Sequence, residues 1–218
     1  MKEKCVGVAQ AILTALVILA GAIAVPILFR PFFYLHIELL DLPQRTGLSV
    51  LQIKAAYKEM MDYCIGISDT FSVGVLPFSN SGAAHFADVR KLFILDLRAM
   101  AVATVLLLGL LFCQRKKQTR LLGHTPGFWS AVGLGVTFVS VGGLAALGFD
   151  RAFAVFHKLF FPGKENWLFS SHTDPVIKML PEEFFRNCAI LILILILISC
   201  TALILWDRKK NNMDCSCQ

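Results

Sequence analysis

The sequence predicts an all-α integral membrane protein: four transmembrane helices, a small and mainly helical extracytoplasmic cap, and both termini in the cytoplasm. Three observations predict it. Of its 218 residues, 56% are hydrophobic and only 17% charged, against roughly 45–50% apolar in a soluble domain, and the mean hydropathy is +0.67. Apolar runs long enough to cross ~30 Å of hydrocarbon at ~1.5 Å per residue recur four times along the chain. Lysines and arginines collect beside alternate ends of those runs.

Residues 1–5 read as a cytoplasmic N-terminus and 6–29, VGVAQAILTALVILAGAIAVPILF, as the first span. Lys2 and Lys4 give it the look of a signal peptide. The run nevertheless exceeds a roughly 7–15-residue signal core, and PILFRPFFY offers no small-residue cleavage site. Residues 30–91 form the first cap segment. Within it, Ser49 followed by Gln52 makes a capping box. Ile53, Ala56, Tyr57, Met60, Met61, Cys64 and Ile65 then mark one apolar helix face, with Lys54, Lys58, Glu59 and Asp62 opposite. About 60 residues are too few for a generous core, which predicts a cap packed on the membrane face.

The polar cluster Ser79-Asn80-Ser81-Gly82 opens a further helix that carries His85, Asp88 and Lys91 straight into the second span, 92–113. Asp96 and Arg98 fall near the outer end of that span, where ionisable groups are costly in hydrocarbon and often functional. Their ordinary reading is that both reach into the headgroups. A cytoplasmic basic loop, 114–127, leads to the third span, 128–149, in which Ala131/Gly135 and Gly142/Ala146 are small-residue pairs suited to close helix packing.

The second cap segment, 150–183, continues from the end of that span. Read as one helix, FDRAFAVFHKLFF sets Phe149, Phe153, Phe156, His157, Phe160 and Phe161 on a single face, ended by Pro162-Gly163. Asp174-Pro175 reads as an N-cap followed by a first-position proline, and Pro181-Glu182-Glu183 repeats that kind of start. The fourth span is 184–206. Its alternating Ile and Leu imitate a strand, but an unbroken run of nineteen residues from Cys188 to Trp206 fits a spanning helix. Residues 207–218 form a cytoplasmic tail.

Orientation follows from the charges. Lys2, Lys4, Arg115, Lys116, Lys117, Arg120, Arg208, Lys209 and Lys210 lie on one side, opposed only by Glu3, Asp207 and Asp214. That side carries the whole net charge of +6, which makes it cytoplasmic. The basic balance therefore reports topology and anionic lipid and gives no support for nucleic-acid binding. Seven cysteines form no zinc pattern or disulfide framework. Only Cys64 and Cys188 face an oxidising exterior in this topology, and the others read as small apolar fillers.

This topology sorts the five histidines. His124 belongs to the inner loop and reads as a turn residue beside Thr125-Pro126-Gly127, while His36, His85, His157 and His172 are on the outer side. His85 and His157 stand apart because each sits on a helix entering or leaving the membrane, which sets both at similar depth. Two imidazoles at one interface can act as base and acid, or bind a metal. Asp88 shares a helix face with His85 and is a candidate orienter or third metal ligand; Asp150 and Asp174 are alternative orienters. There is no G-x-S-x-G elbow, H-E-x-x-H helix or P-loop. The residues alone thus define a four-span protein with an outward cap and a candidate two-histidine site, and no substrate.

The stretch H-x-x-D-V-R from His85 to Arg90 precedes a span, and F-H-x-x-F-F runs from Phe156 to Phe161. With Asn166-Trp167, Asp174 and M-L-P-E-x-F-F from Met179 to Phe185, these resemble the bacterial lipoprotein intramolecular transacylase family. The resemblance implies an enzyme of the bacterial cell membrane that works at its outer face without a metal or other cofactor. Its substrates would be diacylglyceryl-modified lipoproteins. The acyl chain at the glyceryl sn-2 position would move to the α-amino group of the N-terminal cysteine, leaving the lyso form. His85 and His157 are then the catalytic pair, and Asp88, Arg98, Asp150, Phe153, Phe160, Trp167 and Asp174 are candidates for supporting the site or touching substrate. Two rivals come from other classes: a metal-dependent membrane hydrolase built on His85, Asp88 and His157, and a non-catalytic membrane assembly partner. Nothing in the sequence sets an oligomeric state.

Overall fold

The computed structural model describes residues 2–115 and 119–216. Lys116, Lys117 and Cys217 lie outside these, as do the side chains of Lys2, Asp214 and Cys215. The described residues form the helices α1 Lys2–Leu28, α2 Arg30–Leu39, α3 Leu42–Thr46, α4 Val50–Cys64, α5 Asn80–Cys113, α6 Pro126–Ala146, α7 Phe149–Phe160, α8 Val176–Met179 and α9 Glu182–Ser216. Helices α1, α5, α6 and α9 are long and apolar enough to cross a membrane. Packing divides the chain into two compact units, Met1–Ile23 with Leu97–Gly143 and Leu191–Gln218, and Ala24–Asp96 with Leu144–Ile190.

In the first unit, Ala22 of α1, Ala131 and Leu134 of α6, and Ile196 and Cys200 of α9 form a buried cluster. Small residues make it possible. A Cβ on Gly142 would stand 3.0 Å from Leu193, and one on Gly127 3.2 Å from Leu203, so α6 offers α9 a face on which its leucines lie against backbone. Asp207 continues α9 rather than opening a tail, and its carboxylate is fully buried. It accepts from the Thr125 backbone N–H and from His124 Nδ1, each at 2.7 Å. His124 is therefore more than the turn residue its neighbours suggested: its ring also stacks on Phe128 at 4.0 Å.

The second unit builds a core that residues 30–91 are too few to enclose alone, because the second cap segment completes it. Phe33, Leu42, Ile53 and Tyr57 of the first segment are buried with Val176 and Met179 of the second and with Phe184 at the start of α9. Phe33 lies flat on Tyr57 at 3.7 Å. The capping box at Ser49 forms as the sequence predicts, with Gln52 N donating to Ser49 Oγ and Ser49 N donating to Gln52 Oε1. The α4 face buries Ile53, Ala56, Tyr57, Met60, Met61 and Cys64. Cys64 and Cys188 are both free thiols, and burial pushes that of Cys64 up to about 12.

One junction differs from the sequence reading. The third spanning helix does not run on into the histidine helix: α6 stops at Ala146 and α7 restarts at Phe149. Gly142, Gly143 and Gly148 hold a helix weakly, and Gly148 adopts an extended φ of 176° at the α7 N-cap. Helix α5, by contrast, is unbroken over 34 residues. At ~1.5 Å per residue it measures about 51 Å, well beyond a ~30 Å hydrocarbon core, so its polar first turns extend past its apolar stretch.

Candidate active site

Construction begins at the N-terminus of α5. Ser79 Oγ accepts from Gly82 N at 2.9 Å, and Ser79 N donates to Asp174 Oδ1 at 2.8 Å. Thr173 donates its hydroxyl to the other carboxylate oxygen at 2.7 Å. Asp174 thus does not cap α8, which starts behind Pro175 without any side-chain cap bond; it ties the start of α5 instead. Burial works to raise the Asp174 pKa, but the Ser79 N–H and the hydroxyl bonds hold it below its usual value. The close fit explains Gly82: a Cβ there would collide with Asp174 Oδ1 and stand 3.0 Å from its Cγ.

One turn further along α5 is His85, and α7 brings His157 opposite it. Both are buried, at 5% and 7% exposure, with ring centroids 5.9 Å apart. Phe161, just past α7, touches both rings, at 5.0 Å from His85 and 5.7 Å from His157. Phe169 edges onto His85 at 5.3 Å. Trp167 stacks on His157 at 4.6 Å, and Phe153 packs against the same ring at 4.2 Å. The loop between α7 and α8 therefore folds back to wall the two imidazoles with aromatic carbon.

The two rings are held differently. His157 Nδ1 lies 2.8 Å from the Phe153 carbonyl oxygen, to which it must donate. That leaves Nε2 with the lone pair, and Nε2 makes no hydrogen bond among the described residues. His36 shows what a purely structural histidine looks like in this fold: its Nδ1 donates to the Phe32 carbonyl at 2.7 Å, and its Nε2 accepts from Asn187 at 3.0 Å. In His85, Nδ1 is buried and unbonded.

Electrostatics keep both site histidines neutral. Burial, and then the facing His157, push His85 down to about 4. Burial lowers His157 as well, against the opposing effect of its bond to Phe153. Asp88 is buried and stays ionised, held at about 2 chiefly by the Lys164 ammonium at 2.5 Å, with Lys91 at 3.1 Å and Asn166 Nδ2 at 3.4 Å. With two ammonium groups on its carboxylate, Asp88 reaches His85 only through space. Among the described residues, no three His, Cys, Asp or Glu side chains stand where they could share a metal ion.

The other sequence candidates lie around this cluster in different ways. Asp150 lies beside the Glu182 carboxyl, and among the described residues no contact joins it to either histidine. Phe160 is 47% exposed and packs on Phe156, and among the described residues its ring meets neither imidazole; Phe156, itself 48% exposed, sets its ring edge-on to His157 at 5.5 Å. Arg98 is exposed and belongs to the first unit. Phe161 of the aromatic stripe and Asn166 of the Asn166-Trp167 pair join the site, and so do Phe169 and Lys164, which the sequence did not single out. Those two lie in a loop without periodicity.

The family model described as "Lipoprotein intramolecular transacylase Lit" matches residues 8–185. No curated protein sequence matches the chain. Among solved structures, the membrane integral lipoprotein intramolecular transacylase Lit from Bacillus cereus is similar with a TM-score of 0.88 and 24% identity, over 97% of this chain and 98% of that one. Two variants of the Bacillus cereus protein, in which a histidine is replaced by arginine or by alanine, also match. Their TM-scores are 0.81 and 0.80, each at 24% identity, over 98% and 97% of this chain and 95% and 96% of theirs. These likenesses establish the fold, and the family match over most of the chain establishes kinship: this chain belongs to the lipoprotein intramolecular transacylase Lit family.

Proposed function

We propose that this enzyme moves the sn-2 acyl chain of a diacylglyceryl lipoprotein to the α-amino group of the N-terminal cysteine, with His85 and His157 as the proton-transferring pair. The observation that supports it most is the pair itself: two buried, neutral imidazoles 5.9 Å apart in an aromatic pocket, with Nε2 of His157 unbonded. Nucleophile and ester belong to one substrate molecule, so the enzyme needs no serine or cysteine nucleophile. Holding the two ends together contributes about 7–11 kcal/mol where alignment is good.

The proton balance suits two histidines. An α-amino group of reference pKa ~8 arrives as an ammonium and must lose two protons to become an amide nitrogen. In this reading His85 takes the first and becomes a strong acid, because its site disfavours the charge. His157 Nε2 takes the second as the amine nitrogen attacks the ester carbonyl. The C–N bond forms, the C–O bond breaks, and His85 returns its proton to the departing glyceryl oxygen. One proton leaves to solvent from His157. Phe153, Phe161 and Trp167 exclude the water that would divert the acyl group to hydrolysis.

The topology belongs to the same proposal. Both termini are cytoplasmic, the spans are 6–29, 92–113, 128–149 and 184–206, and the histidines meet mature lipoproteins at the outer face of the membrane. Asp174 supports the site by tying down α5, and Asp88 by its charge. The test is mass spectrometry of lipoprotein N-termini from a host that lacks such an enzyme and expresses this chain. N-acylated lyso-form cysteine is expected. Free fatty acid with an unmodified amino terminus would return the chain to the hydrolase reading.

A further inference from the structure

Two buried polar atoms beside the histidine pair lack partners: Nδ1 of His85 and Oδ1 of Asn166. They are chemically complementary, one able to donate and the other able only to accept. Unpartnered buried polar groups are rare because each loses its water without replacement. The Asn166 amide lies against the His85 ring, where it interacts favourably with the charged imidazole. The other end of the same amide is already fixed, since Asn166 Nδ2 donates to Asp88 Oδ2 at 3.4 Å. Asp88 in turn is anchored by Lys91 and Lys164. With its NH2 engaged by a carboxylate, the amide has its oxygen left as the end available to the histidine.

We infer that Asn166 is a positioning residue for His85: its side-chain oxygen takes the Nδ1–H, Asp88 holds the amide in that orientation, and Nε2 becomes the nitrogen that takes up and returns the proton. His157 obtains the same outcome from the Phe153 carbonyl. The two histidines are thus fixed in one tautomer by unlike devices, a backbone oxygen for His157 and a side-chain oxygen for His85. A single substitution can remove only the second. The inference rests on the transacylase reading for its kinetic consequences, whereas the tautomer itself requires no substrate.

The charged or titratable groups about His85 are Asp88 and Lys91 on α5, His157 on α7, and Lys164 in the following loop. The test uses the purified full chain and the variants Asn166→Ala and Asn166→Asp. Nitrogen-15 spectra of labelled histidine report the tautomer of His85, assigned by its loss in His85→Ala. Kinetics on a diacylglyceryl lipopeptide report kcat and KM separately. In the wild type, His85 should be protonated at Nδ1. In Asn166→Ala that preference should be lost and kcat should fall at least about tenfold, towards the ~10⁴-fold that a wrong tautomer costs the histidine of a Ser-His-Asp triad, with KM unchanged.

Asn166→Asp keeps an acceptor but adds a charge that favours imidazolium. It should restore the tautomer and move the acid limb of the rate profile to higher pH. An unchanged His85 tautomer in Asn166→Ala, or an unchanged kcat in a folded variant, overturns the inference. If Asn166→Ala does not fold, Asn166→Asp carries the test alone, and the absence of a pH shift there overturns it. A wild-type chain that forms no N-acyl product, yet loses the His85 tautomer in Asn166→Ala, refutes the proposed reaction and supports the positioning.

Discussion

Gly82→Ala tests how α5 is anchored, and its effect follows from a single contact. The new methyl group would overlap Asp174 Oδ1, so the carboxylate must withdraw from Ser79 N, which it now accepts at 2.8 Å. Losing a hydrogen bond to a charged group costs about 1.5–3 kcal/mol, and forcing a methyl into a filled site about 1–3 kcal/mol. Against these, alanine gains ~1 kcal/mol over glycine within a helix. The balance is a loss of about 1.5–5 kcal/mol. At ~2–4 °C per kcal/mol for a chain of this size, the thermal midpoint in detergent should fall on the order of 10 °C. Asp174→Ala removes the colliding atoms, so the double variant should be no less stable than Asp174→Ala alone, a clear departure from additivity. A Gly82→Ala protein as stable as the wild type, or a double variant that is simply additive, would refute this account of the α5 anchor.

The remaining predictions concern the site and its surroundings. Phe153→Ala and Trp167→Ala, whose rings lie 4.2 and 4.6 Å from His157, should slow turnover in an inserted protein, while Phe156→Ala and Phe160→Ala should have smaller effects because both rings are about half exposed and Phe156 meets His157 only edge-on at 5.5 Å. Equal and small losses at all four would reduce the stripe to a membrane anchor. Burial lowers both histidines, so the base form persists below the ordinary imidazole pKa of ~6.5. Activity should be retained as pH falls through 6.5 and lost only at lower pH; a kcat/KM profile with its acid limb at or above 6.5 contradicts the burial argument. Reporter fusions after Gln114 and Trp206 should read as cytoplasmic, and those near Asp69 and Lys164 as external. An external signal after Gln114 would remove the site from the outer leaflet.

Much of the fold was legible because its signals are local. Four apolar runs of membrane-crossing length, the Ser49–Gln52 capping box and the α4 stripe each depend on residues within a few turns, and each appears in the structure. What escaped is non-local. Asp174 looked like the cap of the helix beside it but serves a helix start some 95 positions earlier in the chain. Asp207 looked like the first residue of a tail, yet it is buried under Thr125 and His124 from the opposite end of α6. In the site, the sequence placed His85 and His157 at one depth because both flank spans. It did not reveal that Phe169 closes over them, nor that of the neighbours Phe160 and Phe161 only the second goes inward, since adjacent residues at the end of a helix diverge by about 100° and only packing decides between them.

The central claim is that one substrate molecule supplies both acyl donor and acceptor while His85 and His157 move the protons. It is tested most directly by a crossover experiment. Purified enzyme is given an equal mixture of two diacylglyceryl lipopeptides, one fully light and one carrying isotope in both its sn-2 acyl chain and its cysteine, and the N-acyl products are read by mass spectrometry. The account predicts only light–light and heavy–heavy products. His85→Ala and His157→Ala should each lower the rate by roughly 10²–10⁴, the usual contribution of a positioned acid or base, without loss of folded protein. The double variant should be far less impaired than the product of the singles. Mixed-isotope products, or normal N-acylation by either single variant, would contradict it.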